Sequence, residues 1–195
     1  IPKALTKNET KKVLENIAKF ARQDWLAKRD VALLFLIYGL GLRISEALSI
    51  TKNHLKGEFL RILGKGSNER VIPWINIAKN YIEEYLGSVP YNLEMDTPIF
   101  LGKIGRKLQA PVFRRQLMKL RRSLGLPESV TPHTFRHNFA THLLENGADL
   151  KAIGELLGHK NLSTTQSYTK VNFSHLYATY ASAHPLGKSK NSNNT

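Results

Sequence analysis

The stretch from Val31 to Leu42 carries no charged residue, and it constrains the fold more than any other part of the chain. With the residues just before it, it predicts a helix over 25–39 that is apolar on nearly all sides. A helix of that kind has to be wrapped by other elements, so it belongs at the centre of a core. At roughly 12 residues the apolar run is too short to span a bilayer, which takes about 20. Gly39 and Gly41 interrupt and end it. The chain has 195 residues, of which 42% are hydrophobic, enough to bury one good-sized core or two small ones.

Other elements fall around that centre. Thr6-Lys7-Asn8-Glu9 is a capping-box pattern. Val13, Leu14, Ile17, Phe20 and Ala21 then follow a helical period. A short helix is expected to carry Arg43, Ile44, Glu46, Ala47 and Leu48. Glu58 to Leu63 and Arg70 to Trp74 are extended segments flanking Gly64-Lys65-Gly66-Ser67-Asn68, which predicts a hairpin with Lys65 at its tip. A third short strand is expected near Ile99 to Leu101. Helices are expected over 76–87, 111–124 and 133–146, the last opened by Thr131-Pro132 and stopped by Gly147. Another helix follows from Asp149 to Gly158. Ser163 and Gln166 form a further capping box, opening a short helix that reaches Tyr168, and a last helix is expected over 172–183. Residues 187–195 are polar and are expected to be disordered. The chain has no internal repeat. The predicted class is mainly α with a small antiparallel β-sheet, an α+β fold.

The formal net charge of +14 points to a polyanion partner. The cations recur along the whole chain, which suits a binding surface better than a disordered arm, although charge alone does not separate DNA from RNA or exclude a ribosomal protein. In the helix over 111–124, Phe113, Leu117, Leu120 and Leu124 mark one face. Arg114, Arg115, Lys119, Arg121 and Arg122 crowd the rest without a single acid, and they are expected to contact DNA phosphates. There is no cysteine, which excludes a disulfide scaffold and a cysteine-type zinc site, and permits an intracellular location without showing one.

His133-Thr134-Phe135-Arg136 places an imidazole and a guanidinium on one helix face. A guanidinium offers paired planar donors to phosphate oxygens, and a histidine adds a donor that can move a proton near neutral pH. His137 lies four residues after His133, a spacing that can bind zinc. The position that a metalloprotease fills with glutamate is Thr134, so no metal is expected. Leu157-Gly158-His159 is followed nine residues past the histidine by Tyr168. A single tyrosine of the chain's seven is more often a packed aromatic than a nucleophile, and spacing alone does not decide.

The run from His133 to Tyr168 closely resembles the tyrosine recombinase family of integrases and Xer proteins. Gly39-Leu40-Gly41-Leu42-Arg43-Ile44-Ser45-Glu46 resembles that family's first arginine motif, and Gly64-Lys65-Gly66 its hairpin lysine. The opening Ile1-Pro2-Lys3-Ala4-Leu5-Thr6 resembles the start of an Xer-type catalytic domain. The resemblance implies a catalytic domain over 1–186 that cleaves and rejoins DNA through a 3′-phosphotyrosyl intermediate, in chromosome dimer resolution or in integration and excision of a mobile element. It implies Tyr168 as nucleophile, Arg43 and Arg136 as a phosphate clamp, and Lys65 as general acid. It implies His133 in proton transfer, His159 as a phosphate donor and Glu46 as support. No member of the set is substituted.

The same resemblance implies no cofactor, a cytoplasmic, nucleoid-associated enzyme, double-stranded DNA as partner, and a homo- or hetero-tetramer on DNA assembled through the C-terminal segment. That segment is 172–186, with Phe173, Leu176, Tyr177 and Tyr180 at apolar spacing. Packing on its own core is expected at least as much as exchange, so a monomer is expected in solution. A start at Ile1 rather than Met is expected of a fragment without the family's helical core-binding domain, so weak and salt-dependent DNA binding is expected. The alternatives are a type IB topoisomerase-like enzyme and a catalytically inactive DNA-binding module.

Overall fold

The computed structural model describes residues 5–63, 69–158 and 170–186. In chain order the elements are α1 (Lys7–Asn16), a 3-10 turn (Ile17–Phe20), α2 (Asp24–Gly39), α3 (Ile44–Ala47) and a second 3-10 turn (Lys52–Leu55). Then come β1 (Phe59–Leu63), β2 (Glu69–Pro73), α4 (Asn76–Leu86), α5 (Ala110–Ser123), α6 (Pro132–Glu145), α7 (Leu150–Leu157) and α8 (Lys170–Ala183).

The charge-free stretch lies in α2 as far as Gly39, at the centre of the fold. Leu33, Leu34, Leu36 and Ile37 are fully buried, with α1, α3, α4 and α6 packed around them. The N-terminal half of α2 also buries an ion pair, Arg29 to Asp30 at 2.7 Å. Burial pushes the Asp30 carboxyl above the usual range, and Arg29 opposes that. α1 opens on the predicted capping box: Thr6 Oγ1 accepts from the Glu9 amide at 3.1 Å, and Glu9 Oε2 accepts from the Thr6 amide at 2.8 Å. It is shorter than its apolar period suggests, because Ile17 to Phe20 tighten into the 3-10 turn.

β1 and β2 pair antiparallel from Phe59↔Pro73 to Leu63↔Glu69, with the connection at 64–68 outside the described residues. Leu60, Ile62, Arg70 and Ile72 occupy the inward lane. The expected third strand does not join this sheet. The backbone near Ile99 to Leu101 makes only isolated bridges, Thr51↔Pro98 and Leu101↔Lys107. The Ile99 amide donates to the Ile50 carbonyl and the Phe100 carbonyl accepts from the Leu108 amide, each at 2.8 Å, and side chains take other groups. The Tyr85 hydroxyl donates to the Ile99 carbonyl at 2.8 Å and accepts from the Leu101 amide at 3.1 Å. Arg29 Nη1 donates to the Leu101 carbonyl at 2.9 Å.

The C-terminal segment packs on its own chain. The buried Tyr180 ring stacks on Phe139 at 6.4 Å between centroids, and Asn146 Nδ2 donates to the Ala183 carbonyl at 2.6 Å. Tyr177 is exposed. Phe173 and Leu176, which the sequence pattern puts on the same apolar face, lie outside the described side chains, and the expected helix before Tyr168 and the tail over 187–195 lie outside the described residues.

Candidate active site

The site starts at the turn that ends α2. The Leu36 carbonyl accepts from the amides of both Leu40 and Leu42, each at 3.3 Å. Between them Gly41 sits at φ 65°, in the left-handed region. A Cβ there would lie 2.6 Å from the Phe139 ring. The turn delivers Arg43 to the N-cap of α3 in an extended conformation. Glu46, three residues on, takes the Arg43 amide on Oε2 at 2.7 Å and Arg43 Nη1 on Oε1 at 2.9 Å. The motif therefore folds Arg43 and Glu46 into a local unit.

Two more guanidiniums converge on that carboxylate. Arg70 of β2 donates from Nη2 to Glu46 Oε2 at 2.7 Å. Arg136 of α6 brings Nη1 to 3.9 Å from the same oxygen and also donates from Nη1 to the Gly41 carbonyl. Arg70 Nη1 and Arg136 Nη2 share the Leu157 carbonyl, at 2.7 and 2.8 Å. That carbonyl lies at the C-terminus of α7, where the helix presents partial negative charge. Gly158 follows at φ 68°, and a Cβ there would lie 2.9 Å from Arg70 Cδ. The Leu157-Gly158 pair thus supplies an acceptor for two arginines and the space for one of them.

Three guanidiniums facing one carboxylate leave positive charge in surplus. Burial lowers the Arg136 pKa to about 10, with the Arg70 and Arg43 charges acting in the same direction and Glu46 against them. Arg70 is also lowered, mainly by burial, with Glu46 opposing. An arriving anion would relieve both. Access differs among the three: the Arg43 side chain is 47% exposed, whereas Arg70 is at 4% and Arg136 at 8%.

α6 opens with Pro132 at its first position, and the Thr131 amide donates to Thr134 Oγ1 at 3.1 Å. His133 stands exposed on that first turn, one turn ahead of the buried Arg136, and His137 is exposed beyond it. Among the described residues no cluster of three or more His, Asp or Glu side chains could hold a metal ion. Lys65, His159 and Tyr168 lie outside the described residues. The structure thus brings Arg43, Glu46 and Arg136 together and adds Arg70, which the sequence reading missed.

The basic helix divides. Arg114, Arg115, Lys119 and Arg122 are exposed on α5. Arg121 turns inward instead, donating to the Val130 carbonyl at 3.0 Å and to Glu128 at 2.7 Å. Glu128 also stands 3.5 Å from Arg122 Nε.

The described residues form a mainly helical domain with a two-stranded antiparallel sheet and a cluster of three guanidiniums anchored on one carboxylate. Residues 3–175 match the phage integrase family, and the chain belongs to that family. It is 59% identical over 189 residues to the tyrosine recombinase XerC of Rickettsia bellii (strain OSU 85-389), covering 96% of this chain and 62% of the relative. The counterpart from Rickettsia africae (strain ESF-5) is 57% identical over the same length and coverage. The chain thus spans about three fifths of the length of these relatives. Among solved structures, the XerH site-specific recombinase bound to its difH substrate superposes with a TM-score of 0.71 at 26% identity, over 89% of this chain and 53% of that one. The integrase of mycobacterium phage Brujita shares the fold, with a TM-score of 0.67 at 22% identity, over 95% of this chain and 59% of that one.

Proposed function

We propose that the chain is the catalytic domain of a site-specific DNA recombinase of the Xer type, cleaving and rejoining strands through a 3′-phosphotyrosyl intermediate. The observation that carries this reading is the surplus of guanidinium charge around Glu46, with Arg43 open to solvent and Arg70 and Arg136 behind it. Such a cluster is complementary to a phosphodiester whose oxygens gain charge as it is attacked. XerH, a structural relative, is described bound to a DNA substrate before cleavage.

Tyr168 attacks the scissile phosphorus, and its phenolic proton passes to His133 or to water. A free tyrosine has a pKa of about 10, so nearby cations are needed to favour the phenolate. Arg43 and Arg136 hold the non-bridging oxygens and His159 adds a hydrogen bond. Lys65 protonates the departing 5′-oxygen, a basic leaving group. The phosphotyrosyl ester retains the energy of the broken bond, so the free 5′-hydroxyl can reverse the attack and reseal a strand without ATP. Arg114, Arg115, Lys119 and Arg122 offer the exposed phosphate contacts on α5.

In this reading the working assembly is a homo- or hetero-tetramer on two DNA sites, joined through the segment 172–186, and it acts on DNA at the nucleoid. The packing of Tyr180 on its own chain is the state such an exchange has to open.

The test is incubation with nicked duplexes carrying candidate recombination sites. A denaturant-stable protein–DNA adduct is expected, and Tyr168→Phe is expected to abolish it. Binding to duplex with no adduct from any such substrate favours an inactive DNA-binding module. Relaxation of supercoiled DNA without sequence preference favours a topoisomerase.

A further inference from the structure

We infer that Arg70 is a positioning residue for strand cleavage, tying the first arginine motif to the end of α7. The inference rests on the recombinase reading above. Its guanidinium spans two acceptors, Glu46 Oε2 and the Leu157 carbonyl, each at 2.7 Å. Those acceptors are the ones the other arginines use. Glu46 anchors Arg43 through both its amide and Nη1, and the Leu157 carbonyl also takes Arg136 Nη2. Removing Arg70 therefore loosens Arg43 on one side and Arg136 on the other. The Leu157 carbonyl is moreover the last α7 acceptor before the segment that carries His159 and Tyr168.

Arg70 is built for this role, and unlike Arg43 it has almost no solvent access. Its side chain is 4% exposed, in the inward lane of the sheet opposite Ile62. Its stem runs beside Gly158, where a Cβ would stand 2.9 Å from Cδ and 3.1 Å from Nη1. Both Nη atoms are occupied, and Nε is buried with no hydrogen-bond partner among the described residues. A lysine there could keep the charge beside Glu46, but one ammonium on a flexible stem does not reproduce a rigid fork aimed at two acceptors. A displacement of about 1 Å in a catalytic group is enough to cost roughly a hundredfold in rate.

The experiment compares Arg70→Lys and Arg70→Met with the wild-type chain in single-turnover cleavage of a nicked duplex that the wild type cuts. A merely structural defect lowers the amplitude, because fewer molecules are folded. A positioning defect lowers the rate constant of the molecules that are. Arg70→Lys is expected to fold, to bind the duplex within about threefold of wild type, and to cleave with a rate constant down roughly a hundredfold. In a Glu46→Gln background the same substitution is expected to cost less than tenfold further, because one of the two contacts of Arg70 is then already lost. Wild-type rate constants in both folded variants, or full additivity with Glu46→Gln, would overturn the assignment. Loss of amplitude alone would do so too. If the wild type itself forms no Tyr168-dependent adduct, the recombinase reading falls. Crystal structures of Arg70→Lys then decide the positional claim: guanidiniums of Arg43 and Arg136 moved by about 1 Å or more support it, and unmoved ones refute it.

Discussion

Glu46 and Gly41 carry the site at the scale of single residues, and they do so differently. Glu46 is a shared acceptor whose value depends on three partners, so its removal leaves buried guanidiniums facing one another. Gly41 is a backbone requirement. It combines a φ of 65° with a position where a Cβ would meet the Phe139 ring at 2.6 Å, and its carbonyl accepts from Arg136. Left-handed geometry costs a non-glycine residue about 1–2 kcal/mol, and forcing the ring aside costs about 1–3 kcal/mol more. Gly41→Ala is therefore expected to lower stability by about 3 kcal/mol in urea unfolding. A loss below about 1 kcal/mol would mean that the turn has room the structure does not show.

Among the elements, α5 shows why like charges on one helix need not do the same work. Arg114, Arg115 and Lys119 are exposed, whereas Arg121 is 12% exposed and bonded to the Val130 carbonyl and Glu128. If Arg114, Arg115 and Lys119 meet DNA phosphates, each substitution by alanine lowers the slope of log K against log salt by about 0.9. Arg121→Ala is expected to leave that slope unchanged and to lower stability by about 1–2 kcal/mol. Equal slopes for all four variants in a binding titration would sink the distinction. The sequence could not make it: Glu128 lies beyond the end of the helix, and only the turn through Gly125 brings it back beside Arg121. The inward placement of Arg70 was closer to legible, since a strand alternates with period two, and Leu60, Ile62 and Ile72 mark the buried lane that Arg70 shares. What stayed hidden was its acceptor, because nothing local links Arg70 to the carbonyl of Leu157 in α7. The third strand failed for a comparable reason. Ile99 to Leu101 have strand-like residues, but Tyr85 and Arg29 take the Ile99 carbonyl and both backbone groups of Leu101, and the Ile99 amide and Phe100 carbonyl bond to loop backbone at Ile50 and Leu108. The central helix, the two paired strands and the α6 start were readable because period, strand composition and capping are local signals.

Across the whole molecule, the two ends of the described chain are joined by a buried polar network. His142 of α6 bonds the Tyr38 hydroxyl at 2.9 Å and the Leu5 carbonyl at 3.1 Å. His184, just past α8, bonds the Tyr180 hydroxyl at 3.1 Å and the Tyr38 carbonyl at 3.2 Å. Burial is the main cause that lowers both histidines, His184 to about 3. The backbone carbonyls oppose the shift, and for His142 Glu145 opposes it as well while Lys7 adds to it. The folded state therefore holds these rings neutral, while the unfolded chain binds protons below about pH 6.5. Stability is fully present above that pH and is lost as pH falls toward the folded value. His184 contributes a slope of about 1.4 kcal/mol per pH unit in that window, and His142 acts in the same direction. His184→Gln keeps a donor and an acceptor but cannot titrate. Its stability at neutral pH is expected to be lower than that of the wild type, and its fall between pH 6 and pH 4 shallower by about 1.4 kcal/mol per unit. Urea midpoints measured across that range check it. Parallel curves for the two proteins would show that His184 protonates as readily folded as unfolded, and that the C-terminal segment is not held in the packed state described here.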